Sequence, residues 1–387
     1  MTLPLAGIVI ADFSQFLAGP FAALRLQDLG ARVIKVENPR GGDLCRRLYL
    51  TETLLDDGDS TLFHAINRGK ESITLDLKTP RGIAAARQLA ARADIVIQNF
   101  RPGVIERLGL DHDTIRARNP GVVYGSISGY GRDGPWRDLP GQDLLAQARS
   151  GLMWLSGNRA SGPVPVGLPL ADMLAGATLA QGLLAALFRK ATQGIGAYVE
   201  TSLLECLADA QFEFLTTYLN SNHAPPERAA QGSAHVYLGA PYGVYDTADG
   251  QLALAMTPLD TLAELLQMPE LATISERPGA GFAARERIRA MIAERLRHHD
   301  ARHWERHLGA RGVWCARVLT WDELMRSETF RALDMVATYS GEGGSPVHFL
   351  RPPLSIDHQR PEIRPYGPRL NAQGDAIATE FALGTAG

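Results

Sequence analysis

Over its first 220 residues the chain alternates short apolar runs with stretches of helical spacing, and this alternation restricts the folds open to it. Residues 7–13, 32–37, 73–77, 93–99 and 122–127 read as extended segments. Between them, Pro20–Leu29 and Pro80–Arg92 carry apolar residues at helical spacing, and Gly30 is placed to stop the first helix. Strands separated by helices predict an α/β fold with a parallel sheet covered on both faces. Two Gly- and Pro-rich loops follow, Gly129–Pro140 and Ser156–Pro169. A long helix is then expected from Asp172 to Lys190, a strand at Tyr198–Ser202, and a helix to about Asn220.

The pattern changes near Pro225. Two short strands are expected at Tyr242–Tyr245 and Leu252–Met256, joined by a turn at Ala248–Gly250. A helix is expected over Ala283–Leu296, with Ile288, Met291, Ile292 and Leu296 at core spacing. A chain of 387 residues exceeds a usual single domain. The predicted organisation is a large domain over 1–224, a small α+β domain over 225–318, and a tail, 319–387, returning to the first.

Charge and cysteine usage exclude several classes. Lys+Arg is 39 and Asp+Glu is 42, a formal net charge of −3, which is no footprint for nucleic acid. An anionic ligand must therefore be met by a local cluster of cations. Cys45, Cys206 and Cys315 are far apart and odd in number, so buried reduced thiols are expected rather than disulfides or a zinc knuckle. The longest apolar stretch, Met173–Phe188, is interrupted by Gly176, Thr178, Gln181 and Gly182, and is read as too broken to cross a membrane. With no basic leader pattern at residues 1–5, the expected compartment is the cytoplasm.

The first strand–helix turn, Phe13–Pro20, with Glu37 further on, has roughly the spacing of a dinucleotide site. It lacks the Gly-x-Gly-x-x-Gly that lets backbone approach a pyrophosphate, so a Rossmann-like fold without NAD is expected. His299, His303 and His307 recur every four residues among Arg302 and Arg306, and read as a solvated helix face rather than a metal site. Lys78, Arg101 and Arg107 follow predicted strand ends, where open α/β sheets bind ligands; three cations there would suit phosphates. Asp172 stands where the long helix begins and reads as its N-cap. That position favours an ionised carboxylate, which a nucleophile requires. Tyr237, Tyr242 and Tyr245 read as core aromatics at strand spacing.

Together these segments resemble the class III CoA-transferases. The resemblance is carried by Leu5–Ser14, Leu17–Pro20, Leu29–Glu37, Gly41-Gly42-Asp43, Asn67–Lys78, Asn99–Gly103, Ser128–Gly131, Gly134-Pro135, Ala171-Asp172 with Gly176, the Leu183–Leu187 run and Thr192–Gly196. It runs through residues 1–220 and weakens from 225 to 350. It implies a Rossmann-like large domain with a small domain, in a homodimer of two interlocked subunits. It implies coenzyme A contacts at Leu17, Ala18, Leu75, Asp76, Leu77, Lys78, Asn99, Phe100, Arg101 and Arg107, and a nucleophile at Asp172. The implied substrates are an acyl-CoA and a free carboxylic acid, exchanged through an aspartyl-CoA thioester with neither metal nor NAD.

Formyl-CoA transferases carry a glutamine at the Leu17 position and a glycine run in the small domain, both missing here, so formate or oxalate is not the expected substrate. The family's Gly-Glu-His-Thr near the C-terminus is replaced by Gly367-Pro368-Arg369-Leu370. Two rivals share the resemblance. An α-methylacyl-CoA racemase would need the histidine of a Gly-His-Asp triplet, which is Gly141-Gln142-Asp143 here; glutamine is no general base at neutral pH. His235 would replace it only by folding over Asp172. A non-catalytic acyl-CoA-binding protein would leave Asp172 as a cap.

Overall fold

The computed structural model describes residues 3–48, 54–55, 57–232, 234–274, 280–339 and 346–384. The chain divides into two compact units, one of residues 1–146, 168–210 and 332–387, the other of 147–167 and 211–331. Residues 147–167, 211–224 and 319–331, which the sequence alone assigns to the large domain and its tail, cluster with the second unit.

The first unit is built on a six-stranded sheet: β1 (Val9–Asp12), β2 (Arg32–Glu37), β3 (Glu71–Thr74), β4 (Ile95–Gln98), β5 (Val123–Ser128) and β6 (Ala197–Ser202). The spatial order is β3-β2-β1-β4-β5-β6 and every neighbouring pair is parallel. The order reverses between β1 and β4. In open α/β sheets that reversal opens a crevice beyond the carboxyl ends of the two strands. Strand β3 starts and ends earlier than expected, so Leu75–Lys78 lie past its carboxyl end.

The alternation of side chains along the strands decides which helices cover which face. Ala11, Phe13, Ile34, Val36, Ile73, Val96 and Tyr124 pack against α3 (Pro80–Arg92), α4 (Val104–Arg107), α5 (His112–Arg116) and the C-terminal helix Gly374–Glu380. α1 (Ala18–Asp28) and α7 (Leu170–Gln193) pack together and contact β5. α2 (Thr61–Asn67) packs on α1, and α6 (Asp143–Arg149) precedes α7 in the chain. α8 (Leu203–Ala210) continues from β6 and packs on α7.

Helix α7 overturns one expectation from the sequence. It runs unbroken for 24 residues and is long and apolar enough, by length and composition, to cross a membrane. Its Ala171, Ala175, Gly176, Leu179, Ala180, Leu183 and Ala186 are buried within the unit. Gly176 is what lets α1 come close: a Cβ there would lie 2.6 Å from the Ala18 carbonyl oxygen and 2.9 Å from the Phe21 ring.

The second unit holds an antiparallel sheet of β7 (Gly243–Asp246), β8 (Gln251–Leu254) and β9 (Cys315–Arg317). Its core joins Tyr245, Leu252 and Leu254 to Ile288, Ile292 and Leu296 of the helix Arg285–Leu296, and to Trp304 and Leu308. Tyr245 is a core residue as expected, its hydroxyl donating to the Pro241 carbonyl; Tyr237 and Tyr242 are half-buried. Among the cysteines, Cys45 and Cys206 are buried free thiols, whereas Cys315 is only partly buried. In the first unit, β10 (Val336–Tyr339) and β11 (Val347–Leu350) form an antiparallel pair near the chain end.

Candidate active site

The loop between β1 and α1 and the loop after β4 meet at the point where strand order reverses. Gln15 donates its N–H to Asn99 Oδ1 at 2.9 Å, and Asn99 Nδ2 donates back to the Gln15 carbonyl at 2.7 Å. This reciprocal pair stands at one side of a cleft of about 590 Å³. Leu17, Ala18, Asn99, Phe100, Arg101 and Asp172 all line it, joined by Arg137, Gln142 and Asp143. Leu75, Asp76, Leu77, Lys78 and Arg107 do not. Leu75 and Leu77 pack against the sheet core. Asp76 accepts the Lys78 N–H at 3.0 Å in the turn that leads into α3, and Arg107 lies in α4.

Asp172 is not the N-cap that its position in the sequence suggests. Helix α7 starts at Leu170, with Pro169 in the cap position and no side-chain cap bond. Asp172 is therefore the third helical residue, with its carboxyl half-buried in the cleft. Its backbone N–H is one of those a helix start leaves without an internal partner. The Asp143 carboxylate accepts it at 3.2 Å. Burial and, secondly, the neighbouring Asp143 charge push the Asp172 carboxyl up to about 7. The helix dipole favours the ionised form there, but loss of water and a second carboxylate outweigh it.

Beneath the loop lies a buried ionic network that the sequence patterns did not reveal. Lys35 pairs with Asp43 at 2.7 Å and Lys70 with Asp12 at 3.0 Å, all four side chains being fully buried. Glu37 receives Arg46 through both carboxylate oxygens, the Ser72 hydroxyl at 2.6 Å and the Asp43 N–H at 2.9 Å. Arg46 reaches on to Asp59 and the Pro368 carbonyl, and lies 3.8 Å over the Phe63 ring. The divergent tail is thus seated here: Gly367 also donates its N–H to His64 Nδ1. Burial opposes these charges, and the balance differs from group to group: pairing holds Asp12 and Glu37 below the ordinary carboxylate range and Lys35 above the ordinary lysine value, whereas burial wins at Lys70, whose ammonium is pushed down to about 8, and at Asp59, which is raised.

Asp57, Asp59 and His64 come close enough to share a metal ion. Their hydrogen bonds already account for them. Because His64 Nδ1 accepts from Gly367, the ring proton sits on Nε2, 3.1 Å from Asp57, and Asp59 pairs with Arg46. In the second unit, His299, His303 and His307 stack ring on ring, and His307 Nε2 faces the Leu265 carbonyl at 3.2 Å. His235 pairs with Glu213 at 3.4 Å and packs on Phe214 within the second unit.

Comparison with known proteins places the chain in a family. Residues 5–374 match the model of CoA-transferase family III, and the chain belongs to that family. It is 40% identical over 256 residues to a succinate–glutarate CoA-transferase of Agrobacterium fabrum, an alignment covering 65% of this chain and 63% of that one, so it spans just under two thirds of that relative. It is 31% identical to an acetyl-CoA:oxalate CoA-transferase of Acetobacter aceti, over 98% of this chain and 96% of the other. A solved CaiB/BaiF family protein from Brucella suis superposes with a TM-score of 0.84 at 30% identity, covering 98% of this chain and all of that one.

Proposed function

We propose that this protein moves CoA from an acyl-CoA donor to a free carboxylic acid through covalent intermediates on Asp172. The observation that carries the reading is the placement of the Asp172 carboxyl in a cleft at the strand-order reversal, together with Leu17, Ala18, Asn99, Phe100 and Arg101. The Asp172 carboxylate attacks the donor thioester carbonyl, forming a mixed anhydride and releasing CoA thiolate. The thiolate attacks the aspartyl carbonyl, forming an aspartyl-CoA thioester and freeing the donor acid. The acceptor carboxylate then attacks that thioester, and the thiolate it expels attacks the acceptor's carbonyl. Each step exchanges one activated acyl group for another, so no external energy source is needed, and the covalent route divides a difficult transfer into easier steps. CoA is substrate and product, and neither metal nor NAD enters the scheme.

Short dicarboxylic acids are the proposed acids. The relatives named above act on succinate and glutarate or on oxalate, and Arg101 and Arg137 line the cleft as cations suited to a carboxylate. This departs from the expectation against oxalate drawn from Leu17. An interlocked homodimer is proposed too; Phe188 of α7, 72% exposed, and Phe212 of the helix Phe212–Asn220, 69% exposed, are aromatic side chains that a partner subunit would cover. A cytoplasmic setting fits three cysteines without disulfides.

One observation favours a second reading. A carboxyl near 7 is suited to proton transfer, as an acyl-CoA isomerase would require. Its partner position is Gln142, which accepts no proton at neutral pH. Intact-protein and peptide mass spectrometry separates the two. The protein is incubated with a panel of acyl-CoA donors, trapped with hydroxylamine or borohydride, and compared with Asp172→Ala. A modified Asp172 peptide, absent from the variant, supports the transferase. Solvent deuterium at the α-carbon of a branched acyl-CoA, with no adduct from any donor, overturns it in favour of the isomerase.

A further inference from the structure

Ser14, Gln15 and Phe16 join β1 to α1 without belonging to either, yet each of their backbone N–H and C=O groups is bonded to a side chain. The Ser14 N–H donates to Asp12 Oδ1 at 3.0 Å, and its carbonyl accepts from Lys35 Nζ at 3.0 Å. The Gln15 groups are both taken by Asn99. The Phe16 N–H donates to Asp43 Oδ1 at 3.2 Å, and its carbonyl accepts from Cys45 Sγ at 3.1 Å. Burial and the Asp43 charge push the Cys45 thiol up to about 12, so at neutral pH it carries the proton it donates.

Phe16 has φ 69, in the left-handed region that residues other than glycine rarely enter. Such a conformation persists where the surroundings over-determine it. Asp43 touches both anchors of that residue, accepting the Phe16 N–H itself and the N–H of Cys45, whose thiol holds the Phe16 carbonyl. It is 2% exposed; Oδ1 accepts both the Phe16 and Cys45 N–H groups, and Oδ2 pairs with Lys35. We infer that Asp43 is a positioning residue for the active site: it holds Phe16 in the left-handed turn and thereby sets Leu17 and Ala18 along the cleft that contains Asp172. What the cleft binds rests on the function proposed above; the role of Asp43 in shaping the turn does not.

The test combines CoA titration calorimetry with hydrogen-exchange mass spectrometry of the peptide spanning residues 14–18. Asp43→Ala removes the acceptor for both amides; Asp43→Asn retains it and removes only the charge. Asp43→Ala is expected to weaken CoA binding by about 10-fold or more and to speed exchange in the peptide, whereas Asp43→Asn changes affinity by less than about 3-fold. Glycine adopts a left-handed turn without an anchor, so in a Phe16→Gly background the same Asp43→Ala change is expected to lose less than about 3-fold. Equal losses for Asn and Ala would assign Asp43 to the Lys35 ion pair alone and overturn the inference. So would losses from Asp43→Ala and Phe16→Gly that simply multiply. If Asp43→Ala fails to fold, Lys35→Met/Asp43→Ala removes the stranded ammonium and carries the same comparison. If the wild type binds no CoA, the functional proposal fails, while unchanged exchange in Asp43→Ala still decides against the positioning role.

Discussion

The Asp143 carboxylate accepts the backbone N–H of Asp172, so the residue that completes the start of α7 also sets a negative charge beside the proposed nucleophile. Because burial is the larger cause of the raised Asp172 carboxyl and Asp143 the smaller, the two are separable. Adduct formation needs the carboxylate and should rise with pH through about 7. Asp143→Asn should move that profile toward acid by less than half of the total displacement, leaving the plateau within about 3-fold of wild type. The pH dependence of single-turnover labelling at Asp172 measures it. A profile that does not move would show that Asp143 has no electrostatic influence.

Stability should move in the opposite sense. The Asp172 carboxyl titrates near 7 in the folded chain and near its ordinary 3.8 when unfolded. Between those values the unfolded chain has released a proton that the folded chain keeps, so stability falls as pH rises through this window and stays lower above it. Asp172→Asn removes the penalty. The variant should be inactive yet more stable than wild type by roughly 2–4 kcal/mol at pH 8, with the gap closing toward pH 4. Urea denaturation at the two pH values checks this.

Gly129 and Gly141 touch across the wall of the cleft. A Cβ on Gly129 would lie 2.6 Å from the Gly141 Cα, and one on Gly141 would lie 2.5 Å from the Gly129 Cα. Backbone must move to admit a methyl group on either. Gly129→Ala and Gly141→Ala should each cost about 1–3 kcal/mol and lower turnover by about 10-fold or more, since both residues border the cleft. Thermal melts and steady-state kinetics provide the readouts.

Arg46 gathers Glu37, Asp59 and the Pro368 carbonyl while stacking over Phe63. Arg46→Ala leaves the Glu37 carboxylate buried without its main partner and should destabilise the protein by about 3–5 kcal/mol. Arg46→Lys keeps the charge but cannot bridge both Glu37 oxygens, and should recover less than half of the loss. Equilibrium unfolding of the three proteins tests the order.

What was legible in the sequence followed local periodicity. The second strand and the helix from Pro80 to Arg92 fall where expected, because alternation and helical spacing are written in adjacent residues. So is the general position of Asp172. The start of its helix was not, because Leu170 and Ala171 carry no cap signature and the orphan amide is met by a residue 29 positions earlier. Asp143 has a signal, the triplet Gly141-Gln142-Asp143, but nothing in that triplet points to an amide 29 positions further on. The buried network left almost none: Lys35 and Glu37 alternate with apolar neighbours like any strand charge, and their partners Asp43 and Arg46 cap and belong to a single 3-10 turn, Leu44–Arg47, too short to show a periodicity.

The turn between β1 and α1 has one more implication, for the order in which the protein matures. A glycine-rich turn is encoded on the spot and can form as soon as its own residues are made. This turn is held by Lys35, Asp43, Cys45 and Asn99, which arrive only when β2 and β4 have joined β1 on either side. A chain emerging during synthesis therefore has no means of shaping its cleft until the central three strands are paired. The cleft that contains Asp172 therefore takes its shape together with the sheet, and a half-folded chain has no formed site for a ligand.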